Sequence, residues 1–266
     1  MSQEPSEEEL KSFTLLEHLI ELRDRLLRCV LAILFCFLSL YYFSNDLYNL
    51  LSQPIRKSLP PGATMIATDF TATFFAPFKL TFFVAIFAAM PYILHQVWKF
   101  ISPGLYSSEK RIAIPLLVSS IFLFYGGVAF AYFLVFPAMM AFFASIQLND
   151  VVVSPDITHY MSVALKLFLA FGVTFEIPIA VVLAIWSGLT DATALKELRP
   201  YVIVGCFVVA MLLTPPDVIS QTMLAIPMWL LFEVGLWFGQ FVRKRQPASE
   251  STELTVPEDQ SSDGSN

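Results

Sequence analysis

Long apolar runs are the feature that most constrains this chain. Segments of about twenty apolar residues recur along it, and a helix of that length crosses the hydrocarbon core of a bilayer. Hydrophobic residues make up 56% of the chain and charged residues only 14%, against about a quarter in soluble domains. The sequence therefore predicts an all-α polytopic protein of the lipid bilayer. The six predicted spans are Leu26–Phe43, Phe74–Trp98, Ile112–Phe136, Tyr160–Trp186, Tyr201–Leu213 and Val218–Phe238.

The last two predicted spans differ from the rest of the pattern. Tyr201–Leu213 lies between Pro200 and the pair Pro215–Pro216, and a helix of that length measures only about 20 Å. Asp217 directly precedes the final run and is suited to cap its first turn. We expect a tight helical hairpin that either thins the bilayer locally or stops short of crossing it and is buried in protein.

Basic residues are distributed unevenly between the two sides of the predicted spans. Twelve Lys and Arg fall on the side of both termini, and only Arg56 and Lys57 fall on the other. The side richer in Lys and Arg faces the cytoplasm, so both termini are predicted to be cytoplasmic. The predicted organisation is a disordered acidic N-terminus (1–12), a six-helix transmembrane domain (13–242) and a disordered cytoplasmic tail (243–266).

Composition and motifs exclude several classes of function. The net charge of −6 comes from the acidic tails, so we expect no basic surface for nucleic acid. The three cysteines lie in apolar runs and the three histidines lie far apart, so we expect neither a metal site nor a cofactor. The chain contains no HExxH, GxSxG or Walker motif. An ATPase or an intramembrane hydrolase needs such parts, and the sequence therefore favours a protein that is not an enzyme.

A charged amphipathic segment, HLIELRDRLLR at 18–28, leads into the first span. Thr14 and Glu17 have the spacing of a capping box, so a helix can begin there. Apolar and polar residues then follow at helical spacing, which predicts a helix from Phe13 that lies in the membrane surface before turning into the bilayer. The apolar face is Leu15, Leu19, Leu22 and Leu26, and the polar face is Glu21, Arg25 and Arg28. The alternative is a positive flank that only orients the first span, which leaves Glu21 unexplained.

Glu109 lies in a connection on the same predicted side of the membrane as Glu21. Taken alone, the segment PGLYSSEKR at 103–111 is an ordinary solvated turn. Two interfacial carboxylates flanked by Phe100 and Leu105 can also bind a cationic ligand. Guanidinium groups suit such a site because their planar fork meets a carboxylate with two hydrogen bonds.

Glu176 lies near the middle of the fourth predicted span. A charge at that depth costs about 2.5–3.5 kcal/mol on insertion scales, so we expect this side chain to face protein or water. Pro178 deprives the carbonyl of Thr174 of its helical donor, which predicts a kinked polar pocket. Two interpretations stay open, a proton or substrate contact and a polar pin that holds spans together.

Asp217 and Gln221 lie one helical turn apart at the start of the final span, beside Thr214. One interpretation is a helix cap with a satisfied interhelical hydrogen bond. The other is a polar docking point for a further transmembrane helix, which hydrogen bonds in lipid support modestly.

Four motifs, in this order, resemble the TatC family, the C subunit of the twin-arginine translocase. They are HLIELRDRLLR (18–28), FxxPGL with the following EKR (100–105 and 109–111), AFGVTFEIP (170–178) and MLLTPPDVISQ (211–221). The resemblance covers about residues 13–240 and implies a glove-like six-helix scaffold in the bacterial cytoplasmic (inner) membrane.

The resemblance also implies a function and residue roles. Such proteins bind the twin-arginine signal peptides of folded precursors and assemble, in multiple copies, with single-span TatA- and TatB-type subunits. Transport then uses the proton-motive force without ATP. By position, the implied signal-peptide site comprises Glu21, Arg23, Phe100, Pro103, Leu105, Glu109 and Lys110. Glu176 would line the concave membrane face, the docking residues would be Met211, Thr214, Asp217 and Gln221, and Pro54 would matter for an outer loop.

One residue departs from the family pattern. Lys110 stands where some members have arginine, so the charge is kept but the bidentate fork is lost. The leading alternative function is a proton-coupled carrier of small solutes centred on Glu176. An intramembrane enzyme is a second alternative, disfavoured by the missing catalytic motifs.

Overall fold

The computed structural model describes residues 7–50, 66–101, 110–145, 156–214 and 217–243. These ranges are almost entirely helical, which confirms the all-α prediction. In chain order the helices are α1 (Glu7–Tyr41), α2 (Ser44–Leu50), α3 (Ala72–Ile101), α4 (Lys110–Phe130), α5 (Phe136–Ser145), α6 (Ile157–Thr174), α7 (Ile177–Trp186), α8 (Ala192–Glu197), α9 (Arg199–Leu213) and α10 (Val218–Arg243).

Several of these helices have the length and composition of membrane spans. Four segments qualify individually, namely Ala72–Ile101, Ile114–Phe143, Ile157–Trp186 and Val218–Phe241. The helices α1 and α2 qualify together, although they are bent by 85° with respect to each other. As the sequence predicts, α9 is apolar but short, with 15 residues. These elements are compatible with six spans, and the number six itself stays a prediction.

The first helix differs from its prediction at both ends. It begins at Glu7 rather than Phe13. It ends at Tyr41, and residues 44–50, predicted as part of a loop, form α2. Leu47 and Tyr48 of this short helix are partly buried and pack against the main hydrophobic core. Residues 1–6 and 244–266, from the two tails predicted to be disordered, lie outside the described residues.

The third predicted span extends further than expected and contains an irregular turn. The sequence predicts an end at Phe136, whereas the helical path continues through α5 to Ser145. A π-helical segment, Ala131–Val135, joins α4 to α5, and the N–H of Phe136 donates to the carbonyl of Ala131. Pro137 follows directly and has no N–H to donate, so the wider turn occurs where the regular bonding pattern is already interrupted.

Close helix packing depends on glycine at two positions. A Cβ on Gly127 of α4 would lie 2.6 Å from the carbonyl oxygen of Phe171, so only glycine lets α4 approach α6 this closely. A Cβ on Gly235 of α10 would likewise lie 2.8 Å from Cα of Pro178 in α7. These approaches bury a core in which Phe124 and Phe171 are fully enclosed.

Asp156 joins the start of α6 to the segment that precedes α3. Its carboxylate accepts hydrogen bonds from the backbone N–H (3.0 Å) and the hydroxyl (2.6 Å) of Thr68, and from the N–H of His159 (2.9 Å). The backbones also pair, since Ile157 donates to the carbonyl of Ile66 at 3.0 Å. These donors, above all the Thr68 hydroxyl, lower the pKa of Asp156 from 3.8 to about 2.

Candidate functional site

A polar cavity of about 360 Å³ lies between the first half of α1 and the last turn of α3. Its carboxylates come from α1, and its cations come from both helices. The lining residues are Glu17, Ile20, Glu21, Asp24, Arg25, Arg28 and Lys99. Glu21, assigned to the signal-peptide site from the sequence, therefore lines a cavity large enough to receive a side chain of a ligand.

The amphipathic pattern of α1 explains how this cavity forms. Glu17, Glu21, Asp24 and Arg28 follow one another at steps of four, three and four residues, which places them along one helical face. The helix packs along α3, so this polar face meets the end of α3 at Lys99. The predicted amphipathic pattern is thus found, but the predicted turn between a surface helix and the first span is wrong, because α1 runs as one helix from Glu7 to Tyr41.

Glu21 and Arg25 form an ion pair at the centre of this cavity. The Nε atom of Arg25 donates to Oε1 of Glu21 at 3.0 Å, and Nη2 of Arg25 makes a second, shorter contact with the same oxygen. The side chain of Arg25 is only 11% exposed, whereas that of Glu21 is 37% exposed. The carboxylate therefore combines a fixed position with access from the cavity.

Arg25 also connects α1 to α3. Its Nη2 donates to the carbonyl oxygen of Lys99 at 3.2 Å, and its Nη1 lies 3.4 Å from Oε1 of the buried Gln96. The carbonyl of Lys99 is among the last four of α3, which have no N–H partner within the helix. The guanidinium therefore caps the end of α3 and holds Glu21 at the same time.

Arg23, assigned to the site from the sequence, points to a different set of contacts. It does not line the cavity, and its guanidinium pairs with the neighbouring Asp24 at 2.8 Å and 3.0 Å. Its side chain is 66% exposed. An exposed ion pair of this kind contributes little to stability. Arg23 is therefore a surface residue next to the cavity-lining Asp24.

Phe100 lies next to α1 at the end of α3. Its ring stacks on that of His18, with centroids 4.3 Å apart and planes inclined by 21°. Phe100 of the FxxPGL motif thus contacts His18 of the HLIELRDRLLR motif. Of the other assigned residues, Pro54, Pro103, Leu105 and Glu109 lie outside the described residues. Lys110 is the first residue of α4, and its side chain lies outside the described part.

Glu176 lies at the junction of α6 and α7, where Pro178 interrupts the helix as the sequence predicts. Its Oε2 atom accepts a 2.6 Å hydrogen bond from the hydroxyl of Ser120 in α4. That hydroxyl in turn accepts a hydrogen bond from Nε1 of Trp98 in α3, at 3.2 Å. The other carboxylate oxygen is buried without a hydrogen-bond partner among the described residues.

Sequence reasoning did not identify the partners of Glu176. Trp98 and Ser120 both lie inside or beside apolar runs, and both are buried. The only available signal was the presence of polar atoms at positions expected to lie in the membrane, where they need internal partners. Which partner each one finds depends on how three helices pack.

The assigned docking residues at the α9–α10 hairpin differ in exposure. Asp217 caps α10 by accepting from the N–H of Ser220 at 2.7 Å, which confirms the predicted cap. Gln221 donates to the carbonyl of Phe207 in α9 at 2.8 Å, and buried Thr214 donates to that of Ala210 at 3.0 Å. Met211 is 48% exposed, so it is the assigned residue with the most accessible surface.

The described part of the chain offers charged groups for hydrogen bonding rather than a set of metal ligands. Among the described side chains, no group of three or more His, Cys, Asp and Glu is arranged to hold a metal ion. The chemistry of the cavity is instead that of charged hydrogen bonding, with three carboxylates and three basic side chains around one opening.

The family model and the similar known proteins point to the same family. The family model described as "Sec-independent protein translocase protein (TatC)" matches residues 17–227. The TatC protein of Azotobacter chroococcum mcd 1 is 57% identical over 243 residues, which cover 91% of this chain and 95% of that protein. The TatC protein of Escherichia coli strain K12 is 56% identical over 227 residues, covering 85% of this chain and 88% of that protein.

Solved structures show the same similarity in three dimensions. A crystal structure described as twin arginine translocase receptor TatC superposes with a TM-score of 0.78 and 37% identity, covering 85% of this chain and 99% of that one. A second crystal structure of that receptor, in DDM, gives a TM-score of 0.78 and 38% identity over 84% of this chain and 99% of that one.

Proposed function

This chain belongs to the TatC family of Sec-independent protein translocase proteins, and on that premise we propose that its polar cavity receives the twin-arginine signal peptides of folded precursors. It is a multi-pass membrane protein and a component of a Tat translocase. In the proposed role it is the receptor and core scaffold of that translocase, and it is not an enzyme.

The observation that carries the proposal is the exposed edge of Glu21. This carboxylate already binds one guanidinium, that of Arg25, and more than a third of its side chain stays accessible. A carboxylate has room for about four hydrogen bonds, so it can accept a further guanidinium from a ligand. Glu17 and Asp24 on the same face are two further carboxylates that can accept hydrogen bonds from a second basic side chain of the ligand.

Site-specific photocrosslinking tests the receptor role. A photoreactive residue replaces Ile20, which lines the cavity and is 51% exposed, so Glu21 stays intact. The full translocase in membrane vesicles is irradiated with a signal peptide that carries either Arg–Arg or Lys–Lys. We expect strong crosslinks with Arg–Arg and crosslinks about tenfold weaker with Lys–Lys, because an ammonium group cannot bind the carboxylate in a fork.

Two controls make the crosslinking decisive. The variant Glu21→Gln should reduce the Arg–Arg crosslink toward the Lys–Lys level, since the amide loses the charge but keeps the shape. A photoreactive residue at Leu212 of α9, which is 71% exposed but lies outside the cavity, reports non-specific capture. Equal crosslinks for the two peptides, or an unchanged signal in Glu21→Gln, would contradict the receptor role of this cavity.

We also propose partner subunits and a location. Single-span TatA- and TatB-type subunits dock beside the α9–α10 hairpin, where Met211 is exposed, and several copies of the chain assemble in one complex. The protein lies in the bacterial cytoplasmic membrane with both termini in the cytoplasm. The excess of Lys and Arg on the side of the termini supports this orientation. Accessibility labelling of cysteines introduced at each terminus tests this orientation. Transport is driven by the proton-motive force.

The competing function is a proton-coupled carrier centred on Glu176. The buried oxygen of Glu176 that has no partner among the described residues is the observation in its favour. Against it, Glu176 lines neither the polar cavity nor the apolar cavity of about 280 Å³ between α2, α3, α4 and α6. The purified chain in liposomes separates the two functions, because a carrier moves solute alone and a receptor does not.

A further inference from the structure

We infer that Arg25 is a positioning residue for twin-arginine recognition, which fixes the carboxylate of Glu21 against the last turn of α3. This inference rests on the proposed function, in which Glu21 binds an arginine of the signal peptide. Arg25 itself is not assigned a contact with the ligand.

The burial of Arg25 shows that its role is internal. Its side chain is 11% exposed, although it lines a cavity whose other charged members include exposed Glu17, Arg28 and Lys99. A buried guanidinium must have its N–H groups satisfied, and Arg25 satisfies them from two helices. Glu21 on α1 accepts from Nε and Nη2, and the Lys99 carbonyl on α3 accepts from Nη2.

The geometry of these contacts requires a guanidinium. The acceptors belong to two helices and lie four residues and 74 residues away along the chain. A planar fork with five N–H donors reaches Glu21, the Lys99 carbonyl and Gln96 simultaneously, whereas an ammonium group is a compact point charge on a flexible stem. A lysine at position 25 would keep the ion pair with Glu21 but lose the connection to α3.

The consequence for the ligand is geometric. Both contacts from Arg25 go to Oε1 of Glu21, so the guanidinium constrains the orientation of a carboxylate that lines the cavity and is 37% exposed. Without this constraint Glu21 would sample several rotamers at the surface, and a ligand arginine would have to order it on binding. Discrimination between arginine and lysine depends on such fixed geometry, because Coulomb attraction alone treats the two nearly alike.

Two variants that alter the contacts of Arg25 with α3 test this inference. Arg25→Lys keeps the charge and removes the fork, and Gln96→Met removes one acceptor on α3 at nearly the same volume. The matched control is Arg199→Lys, because Arg199 pairs with Glu233 at 2.6 Å between α9 and α10, outside the cavity. The probes are fluorescent Arg–Arg and Lys–Lys signal peptides, titrated against the complete translocase in detergent.

The expected result is a selective loss. Arg25→Lys should weaken Arg–Arg peptide binding about tenfold, equivalent to one lost charge-assisted hydrogen bond, and leave Lys–Lys binding within about twofold of the unmodified protein. Gln96→Met should give a smaller loss in the same direction, and Arg199→Lys should leave the ratio of the two affinities unchanged. If Arg25 contributed only to stability, Arg25→Lys would weaken the binding of both peptides to the same extent and would lower the melting temperature of the complex.

The outcomes separate this inference from the proposed function. If Glu21→Gln lowers Arg–Arg binding but Arg25→Lys and Gln96→Met do not, the receptor role stands and the positioning role of Arg25 is wrong. Tighter Arg–Arg binding by Arg25→Gln would also overturn it, because Arg25 would then compete with the ligand for Glu21. Unchanged binding by Glu21→Gln would overturn the proposed site together with this inference.

Discussion

Ser120 and Glu176 are joined by a 2.6 Å hydrogen bond, although they lie 56 residues apart in the chain. The bond connects the middle of α4 to the junction of α6 and α7, and Trp98 extends the connection to α3 by donating to the same hydroxyl. A carboxylate that the sequence places deep in the membrane is thus held by side chains from two other helices. This arrangement supports the interpretation of Glu176 as a polar pin between spans.

Removing the Ser120 hydroxyl should destabilise the protein. Ser120→Ala deprives Oε2 of Glu176 and Nε1 of Trp98 of their partner in a buried site, and we expect a loss of about 1–3 kcal/mol in the free energy of unfolding. Thermal unfolding of the purified protein in detergent measures it. The control is Ser39→Ala, since exposed Ser39 only donates to the carbonyl of Phe35 in its own helix. Equal, small effects of both changes would argue against a buried network at Glu176.

The two adjacent glycines of α4 should respond to alanine in opposite directions. A Cβ at Gly127 would collide with the Phe171 carbonyl and the Phe175 ring, so Gly127→Ala should cost about 1–3 kcal/mol through overpacking. At Gly126 no described atom beyond the neighbouring residues and the backbone of its own helix lies within 4 Å of the added Cβ, so Gly126→Ala should stabilise the helix by up to about 1 kcal/mol. Melting temperatures of the two variants check this prediction. Stabilisation by Gly127→Ala would show that α4 and α6 are further apart.

The contact between Asp156 and Thr68 should persist in moderately acid solution. The folded pKa of Asp156 is about 2, below its ordinary value of 3.8, so its stabilising contribution is complete above pH 3.8 and is lost as the pH falls through about 2. We therefore expect the difference in melting temperature between the unmodified protein and Asp156→Asn to be constant from pH 8 to about pH 5 and to shrink below about pH 4.

Thr68→Val provides the matched test of that mechanism. It removes the hydroxyl that donates at 2.6 Å, which is the largest cause of the lowered pKa. In this background the folded pKa of Asp156 should lie closer to 3.8, so the difference between Asp156 and Asp156→Asn should be smaller and its loss should be complete at a higher pH. A difference that stays the same size down to pH 2 would contradict the assigned role of the carboxylate.

Exposure should decide which hairpin residues a partner subunit can reach. In a variant without the three native cysteines, a cysteine at Met211 should form a disulfide with a cysteine in the span of a TatA- or TatB-type subunit, because Met211 is 48% exposed. A cysteine at Thr214, which is 6% exposed and directed to the carbonyl of Ala210, should crosslink much less. Crosslinking that is stronger from position 214 than from 211 would place the partner on a different face of the hairpin.

Local patterns account for much of what could be predicted. The apolar runs around α3, α6 and α10 predict helices because each residue's partners in a helix lie within four positions, and the end of α6 near Pro178 follows from a missing N–H. The Asp217 cap is equally local, since it involves the N–H three residues later. The prediction of a surface helix was right in its polar face but wrong in its start, since α1 begins at Glu7, and wrong in its turn, since α1 continues unbroken to Tyr41.

The sequence by itself determined the class of fold, the short hairpin and the family, since these depend on hydrophobicity, helix breaks and motif order along the chain. Only the tertiary structure decided that Arg25 caps the end of α3 at Lys99, that Ser120 holds Glu176, and that Leu47 of α2 packs against the main core. Periodicity identifies which residues share one face of a helix, but it contains no information on which face of another helix packs against it. That choice depends on side-chain shape and on the need of every buried polar atom for a partner, so contacts between residues 56 or 74 positions apart emerge only when the helices are packed together.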